Sequence, residues 1–312
     1  MRLLVYGAGV LGSLLAHLLL RGNNDVTLLA RGMRKRGIDE QGLVIRHYIQ
    51  RKITIEKIKT IETLPPEDIY DIIFVVMQYI HLSAILPMLA ENQSNIVVLI
   101  GNNPTAAETY TVLSGGTPKN ILFGFLAAAG RRENGTVVSL HFGAKITLGS
   151  ISGDTTAYKA IRKAFKGVPC KLDFIEKIDG WLKSHLAIIL PIGYACYATG
   201  GNLKKADGTL LHQLLDAMSE GYAVLNALGI PVALESEDGW FRSGSRRGYL
   251  LLKLLCKTPL GKLIASDHAM SAIPEMQALN TAFDALKKQT DITTLEWDKL
   301  ERFMPVSFYL GK

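Results

Sequence analysis

Arg2-Leu3-Leu4-Val5-Tyr6-Gly7-Ala8-Gly9-Val10-Leu11-Gly12 stands at the head of the chain and decides its fold. Leu3 to Tyr6 is a short apolar run and reads as a buried strand. Residues 11–21 read as a helix, with Leu14, Leu15, Leu18 and Leu19 on one side. Between them Gly7, Gly9 and Gly12 form Gly-x-Gly-x-x-Gly. That pattern is weak by itself; between a strand and a helix it is a dinucleotide-binding fingerprint. Gly7 permits the tight turn, Gly9 lets the backbone approach a pyrophosphate, and Gly12 lets helix and strand pack closely. Ala8, Val10 and Leu11 complete the loop. The helix start offers unpaired N–H groups and the positive end of a dipole to the phosphates.

The next strand, residues 25–30, should end in an acid if the cofactor is NAD, because a carboxylate there holds the ribose 2′-hydroxyl. The chain instead reads Ala30-Arg31-Gly32-Met33-Arg34-Lys35-Arg36. Arg31 is in place for a 2′-phosphate, with Arg34, Lys35 and Arg36 nearby, and a guanidinium suits phosphate geometry. This predicts NADPH. A solvated basic loop explains Lys35 and Arg36 as well, but explains Arg31 less well.

Further strands are expected over residues 72–76, 95–100, 121–125 and 145–148, with helical or loop-like segments at 82–91 and 105–114. Near-continuous apolar strands alternating with helices imply a parallel sheet covered on both faces. From about Ile178 the pattern changes to helices, at residues 180–197, 210–228, 249–256 and 273–289. The expected organisation is α/β: an N-terminal Rossmann-type domain, residues 1–174, followed by an all-helical domain, residues 175–312. The active site is expected in the cleft between them. Asn102 and Asn103 follow a strand at its carboxyl end, where open parallel sheets bind ligands. Either amide could bond a nicotinamide ribose or a substrate, although Asn103-Pro104 is also a turn starter.

Length and composition agree with this reading. The 312 residues suit two domains, and 48% hydrophobic with 20% charged residues is a globular composition. The net charge of +7 favours anionic ligands. No basic arm interleaved with aromatics appears, and Arg242 to Arg247 is short and glycine-broken, so nucleic acid is not an expected partner. Cys170, Cys196 and Cys256 lie far apart without a CxxC, which argues against a disulfide framework and a metal site. No cleavable presequence is visible. The longest uncharged stretch, residues 186–201, is short for a bilayer span, so no membrane partner and a cytoplasmic location are expected.

With these residues in view the sequence resembles the ketopantoate reductase (2-dehydropantoate 2-reductase) family. The resemblance rests on the Gly7–Gly12 fingerprint, Leu29-Ala30-Arg31, Gly101-Asn102-Asn103 and Gly124-Phe125. It extends to Ala128-Ala129-Gly130-Arg131-Arg132-Glu133-Asn134-Gly135, which looks like the family's segment bordering the active site, and to Trp181-Leu182-Lys183, which looks like the motif carrying its catalytic lysine. It covers residues 1 to about 286. It implies an NADPH-dependent oxidoreductase acting on CH–OH groups, reducing a 2-oxo acid to the 2-hydroxy acid, and a place in pantothenate biosynthesis. Lys183 would bind the carbonyl oxygen and supply the proton; Glu275 is the positional match for the glutamate that holds the substrate's distal hydroxyl.

Three departures touch the substrate side. Met77-Gln78-Tyr79 stands where biosynthetic members have a lysine nearby; Gln78 can hydrogen-bond a ligand but carries no charge. Ala187 and Pro191 stand at i+4 and i+8 from Lys183, where the family has asparagines. Ser266-Asp267-His268-Ala269 replaces a serine pair. A different small oxo or hydroxy acid, or a sensor that binds NADPH without turnover, therefore remains open beside ketopantoate. His185 reads as packed or surface, His268 as a loop histidine or an acid/base, Glu220 as a solvated helix face or a cleft residue, and Trp181 and Trp240 as core or interface aromatics. Apolar surfaces on the helical domain would allow a homodimer.

Overall fold

A computed structural model of the chain describes residues 1–232 and 240–306. The chain divides into two compact units, Met1–Ile178 and Asp179–Lys312. The division falls just after Ile178, rather than after Phe174. Gly149 leaves no room for a Cβ beside Ile175 and Ile178, which ties the chain beyond the last strand to the first unit.

The first unit is built on β1 (Arg2–Tyr6), α1 (Val10–Arg21), β2 (Asp25–Leu29), α2 (Gly32–Gln41), β3 (Leu43–His47), β4 (Lys52–Glu56) and β5 (Lys59–Ile61). There follow β6 (Ile72–Val76), α3 (Leu86–Glu91), β7 (Ile96–Ile100), α4 (Ala106–Ser114) and β8 (Asn120–Leu126). The unit ends with β9 (Ala129–Glu133), β10 (Thr136–Leu140), β11 (Ala144–Gly149), α5 (Tyr158–Ala164) and β12 (Cys170–Phe174). Eight strands form one sheet in the order β12-β11-β8-β7-β6-β1-β2-β5. From β5 to β8 all neighbours are parallel, in the doubly wound order of a Rossmann fold. β11 joins β8 antiparallel and β12 follows β11 in parallel, so the sheet is mixed at that edge. β1, β6 and β7 are buried almost throughout, as strands covered on both faces must be.

A second sheet, β4-β3-β10-β9, is the main departure from expectation. It lies against α1, which also packs on β1, β2 and β6, so α1 is enclosed by two sheets. A signal for half of it was present in the sequence. Asn134 (φ 46°) and Gly135 (φ 82°) are the left-handed pair of a two-residue hairpin joining β9 to β10. β9 itself, Ala-Gly-Arg-Arg-Glu, has no apolar alternation; Glu133 instead pairs with Arg131 along the strand and with Arg46 from β3 across the sheet.

Three histidines fill the space between α1 and this sheet. His17 lies 5.0 Å from His47 between ring centres, and His47 lies 6.3 Å from His141. His17 Nδ1 is 2.9 Å from the Glu56 carboxylate, while His47 contacts the Thr54 hydroxyl at 2.9 Å. Burial, then the neighbouring His17, Lys52 and His141, push His47 down to about 4; burial also lowers His17 and His141.

The second unit is helical, as expected. α6 (Ile178–Ala198) and α7 (Gly208–Ala227) are its long members, followed by helices Arg246–Lys257, Asp267–Ser271, Ile273–Lys287 and Leu295–Glu301. Its core centres on Trp297, fully buried, stacked on Phe283 at 4.5 Å and edge-on to Tyr194 at 5.8 Å. Glu220, expected on a solvated face or in a cleft, is partly buried. Its carboxylate accepts the N–H groups of Glu296 and Trp297 at 3.1 and 2.8 Å, capping the last helix from α7. Trp240 is largely exposed rather than core. Among the described residues no helix is long and apolar enough to cross a membrane.

The histidines predict an acid-labile fold. Unfolded imidazoles take up protons from about pH 6.5, whereas His47 and His185 resist them down to about 4. Stability should be whole above about pH 6.5 and fall as pH drops toward 4. Urea midpoints at successive pH values check this; a midpoint unchanged between pH 7 and 5 would contradict it.

Candidate functional site

The loop after β1 is shaped by contacts that forbid side chains. Gly7 has φ +119°, and a Cβ there would lie 2.2 Å from the Val76 carbonyl oxygen. A Cβ on Gly12 would lie 1.9 Å from the Gly7 carbonyl oxygen. These two glycines let α1 press onto the turn and the end of β6. Gly9 differs: a Cβ there would meet nothing within 4 Å. Its backbone borders open space at the start of α1. That helix has no side-chain cap and no acid in its first turn. Bare N–H groups beside open space are what a diphosphate requires.

Arg31 stands at the end of β2, exposed, with Nη2 donating to the Tyr6 hydroxyl at 2.6 Å and Nε to the Glu62 carbonyl at 3.3 Å. Burial pushes the Tyr6 phenol up, with Arg31 pulling the other way. Arg34, grouped with Arg31 on sequence, does a different job. It donates to the Ala8 carbonyl at 3.1 Å, the Gly135 carbonyl at 2.6 Å and the Ser13 hydroxyl at 3.1 Å. It ties the glycine loop to the β9–β10 turn, which commits its guanidinium to the protein itself. Lys35 pairs with Asp39 along α2 at 2.6 Å.

At the ends of β6 and β7 a small crevice is lined by Met77, Tyr79, Gly101, Asn102 and Asn103. Gly101 (φ +150°) would place a Cβ 2.8 Å from the Met77 carbonyl oxygen, so the two strand ends lie close. The side-chain oxygen of Asn102 is buried without a hydrogen-bond partner among the described residues, as a group that a ligand could satisfy. Asn103 is committed locally. Its oxygen accepts the Thr105 N–H at 3.2 Å and its nitrogen donates to the Thr109 hydroxyl at 3.2 Å, the turn-starter alternative. Gln78 precedes the short 3-10 turn Tyr79–His81 and is partly buried. Gly7–Gly12, Arg31, Gln78 and Asn102 thus gather at the carboxyl ends of four neighbouring strands, where a doubly wound sheet binds dinucleotides.

In the helical unit Lys183 lies in the second turn of α6, mostly buried, and its ammonium donates to Asp179 one turn earlier. The other Asp179 oxygen is buried without a partner among the described residues. The sequence offered no reason to single out Asp179 until the helix was seen to begin at Ile178. Ala187 packs against Gly221, where an added Cβ would come within 3.0 Å of it, so this small pair sets the approach of α6 and α7. His185 stacks on Trp181 at 5.3 Å and is pushed down to about 4 by burial. Glu275 is buried, 1% exposed, in the first turn of Ile273–Lys287. His268 sits on the short helix Asp267–Ser271, not in a loop.

Fold and loop together place the first unit in the Rossmann class. Residues 3–153 match the description "Ketopantoate reductase PanE/ApbA". Over these residues, just under half of its length, the chain is similar to the ketopantoate reductase family. A comparison with curated proteins finds no match by sequence. Among solved structures the chain is similar to D-mandelate dehydrogenase in a ternary structure with NADH and anilino(oxo)acetate. There the TM-score is 0.74 at 18% identity, over 97% of each chain. It is also similar to a putative ketopantoate reductase from Ralstonia solanacearum MolK2, with TM-score 0.73, 16% identity and coverage of 97% and 96%. A third is 2-dehydropantoate 2-reductase from Geobacter metallireducens GS-15, with TM-score 0.73, 17% identity and coverage of 97% and 99%.

The glycine geometry separates two roles. Gly12→Ala should destabilise the first unit by about 3 kcal/mol or more, the scale of overpacking against backbone. Gly9→Ala should stay within about 0.5 to 1 kcal/mol of the parent. Thermal denaturation of both variants checks the contrast; equal losses would remove it.

Proposed function

We propose that the chain is an NADPH-dependent reductase that converts a 2-oxo acid of the ketopantoate kind to its 2-hydroxy acid. The observation that carries the reading is the bare start of α1 beside Gly9, with Arg31 at the next strand end. The N–H groups of this loop would hold the pyrophosphate. Arg31 would take the 2′-phosphate, and Asn102 and Gln78 would bond the nicotinamide-ribose side. The cofactor, when bound, supplies a hydride.

The helical unit would supply the polar chemistry. Lys183, ion-paired with Asp179, would bind the carbonyl oxygen of the acid, offset its developing negative charge and give it a proton. Asp179 orients the ammonium; its unpartnered second oxygen leaves it able to accept a further hydrogen bond as the lysine gives up its proton. Glu275 would hold a distal hydroxyl on the resemblance to the family alone, since it lies buried. Location in the cytoplasm, a part in pantothenate biosynthesis and a homodimer belong to the same reading.

A second reading concerns the acid. Where the family places asparagines after Lys183, Ala187 is taken up in packing against α7 and Pro191 is buried and apolar, so neither offers a polar contact to a substrate. This favours a 2-oxo acid with an apolar substituent, a class to which the anilino(oxo)acetate held by D-mandelate dehydrogenase is similar.

NADPH oxidation against ketopantoate and a graded set of aliphatic and aromatic 2-oxo acids tests both readings. Lys183→Ala should lower kcat by about 10²- to 10⁴-fold, the usual worth of a positioned acid. Binding of the cofactor with no acid reduced would overturn the reductase reading. Turnover surviving Lys183→Ala would remove the lysine's role.

A further inference from the structure

No acid ends β2 in the sequence, yet the fold brings one there from elsewhere. β5 pairs in parallel with β2, with Leu29 opposite Ile61, and the Ala30 N–H donates to the Ile61 carbonyl at 2.9 Å. Glu62, the residue after β5, is therefore level with Ala30 and next to Arg31. Its carbonyl accepts Arg31 Nε at 3.3 Å, and its carboxylate accepts the Gly32 N–H at 3.2 Å. Gly32 begins α2, a ten-residue helix with no acid in its first turn and no side-chain cap of its own. The Glu62 carboxylate thus supplies the negative charge at this helix start, beside the exposed guanidinium of Arg31.

A ribose 2′-phosphate reaching Arg31 would enter the same ground. It would draw on the same helix N–H and meet a carboxylate of like charge. A ribose 2′-hydroxyl has the opposite relation to Glu62, because it can donate to that carboxylate. We propose that Glu62 is the residue that sets the cofactor preference of this chain. It bonds the ribose of NADH as it stands, and it must leave the Gly32 N–H before NADPH can bind. Arg31 pulls toward the phosphorylated cofactor and Glu62 pulls against it, so both cofactors bind and the preference for NADPH is narrow. This inference rests on the dinucleotide reading of the Gly7–Gly12 loop and deepens it.

Calorimetric titration of the full chain with NADPH, NADH, adenosine 2′,5′-bisphosphate and adenosine 5′-monophosphate tests it without turnover. Glu62→Gln should tighten NADPH and the bisphosphate by roughly tenfold, the scale of relieving one charge against a charge-assisted site. NADH should weaken a few-fold. Glu62→Ala should move the ratio in the same direction, and Arg31→Ala should move it the opposite way. If Glu62 only caps α2, both Glu62 variants lower the melting temperature and leave the NADPH-to-NADH ratio unchanged, which overturns the inference alone. A parent chain that binds none of the four ligands overturns the dinucleotide reading and this inference together.

Discussion

The close approach of α1 to the turn after β1 is the constraint on which the first unit depends. Gly12 touches the Gly7 carbonyl at a distance no side chain could survive, and Gly7 in turn lies against the end of β6. This contact fixes where the helix begins. Its first N–H groups therefore point to open space at the sheet edge instead of to a capping side chain. The polar groups of the site, Arg31 and Asn102, come from neighbouring strand ends and need no loop of their own to be positioned.

Because α1 is also covered on its other side, the loop is braced from both directions. Gly130 on β9 would place a Cβ 3.0 Å from Val10, the first residue of the helix. Arg34 bonds the glycine loop, α1 and the β9–β10 turn at once. Its burial, and repulsion from Arg132, lower its pKa, so its hydrogen bonds offset a real desolvation cost. The histidine cluster lies further along the same helix. Bracing of the phosphate cradle thus comes in part from β9, a strand with almost no apolar pattern.

Much of the first unit was legible in the sequence because its strands are buried on both faces and so spell continuous apolar runs. β1, β2, β6, β7, β8 and β11 all fall within a residue or so of their expected places. β3, β4, β9 and β10 escaped. Their sheet is covered on one side only, and β4 exposes both Ile53 and Ile55. β5 escaped because three residues carry too little pattern, and with it went Glu62, whose importance lies wholly in its neighbour. Asn103 and Arg34 had the right residue types for ligand binding but found partners within the protein first.

The sequence by itself determined the elements whose signals are local: the glycine spacing, the apolar strands, the switch to helices near Ile178, and Arg31 at the end of β2. Tertiary structure alone decided which polar groups remain for a ligand. Hydrogen bonds are exclusive, so a side chain's role depends on what reaches it first. Glu62 arrives beside Arg31 through strand pairing, Asp179 takes hold of Lys183 through the helix register, and Asn102 is left with a buried oxygen unsatisfied. None of these relations is local in sequence except the helical one, and even that required knowing where α6 begins.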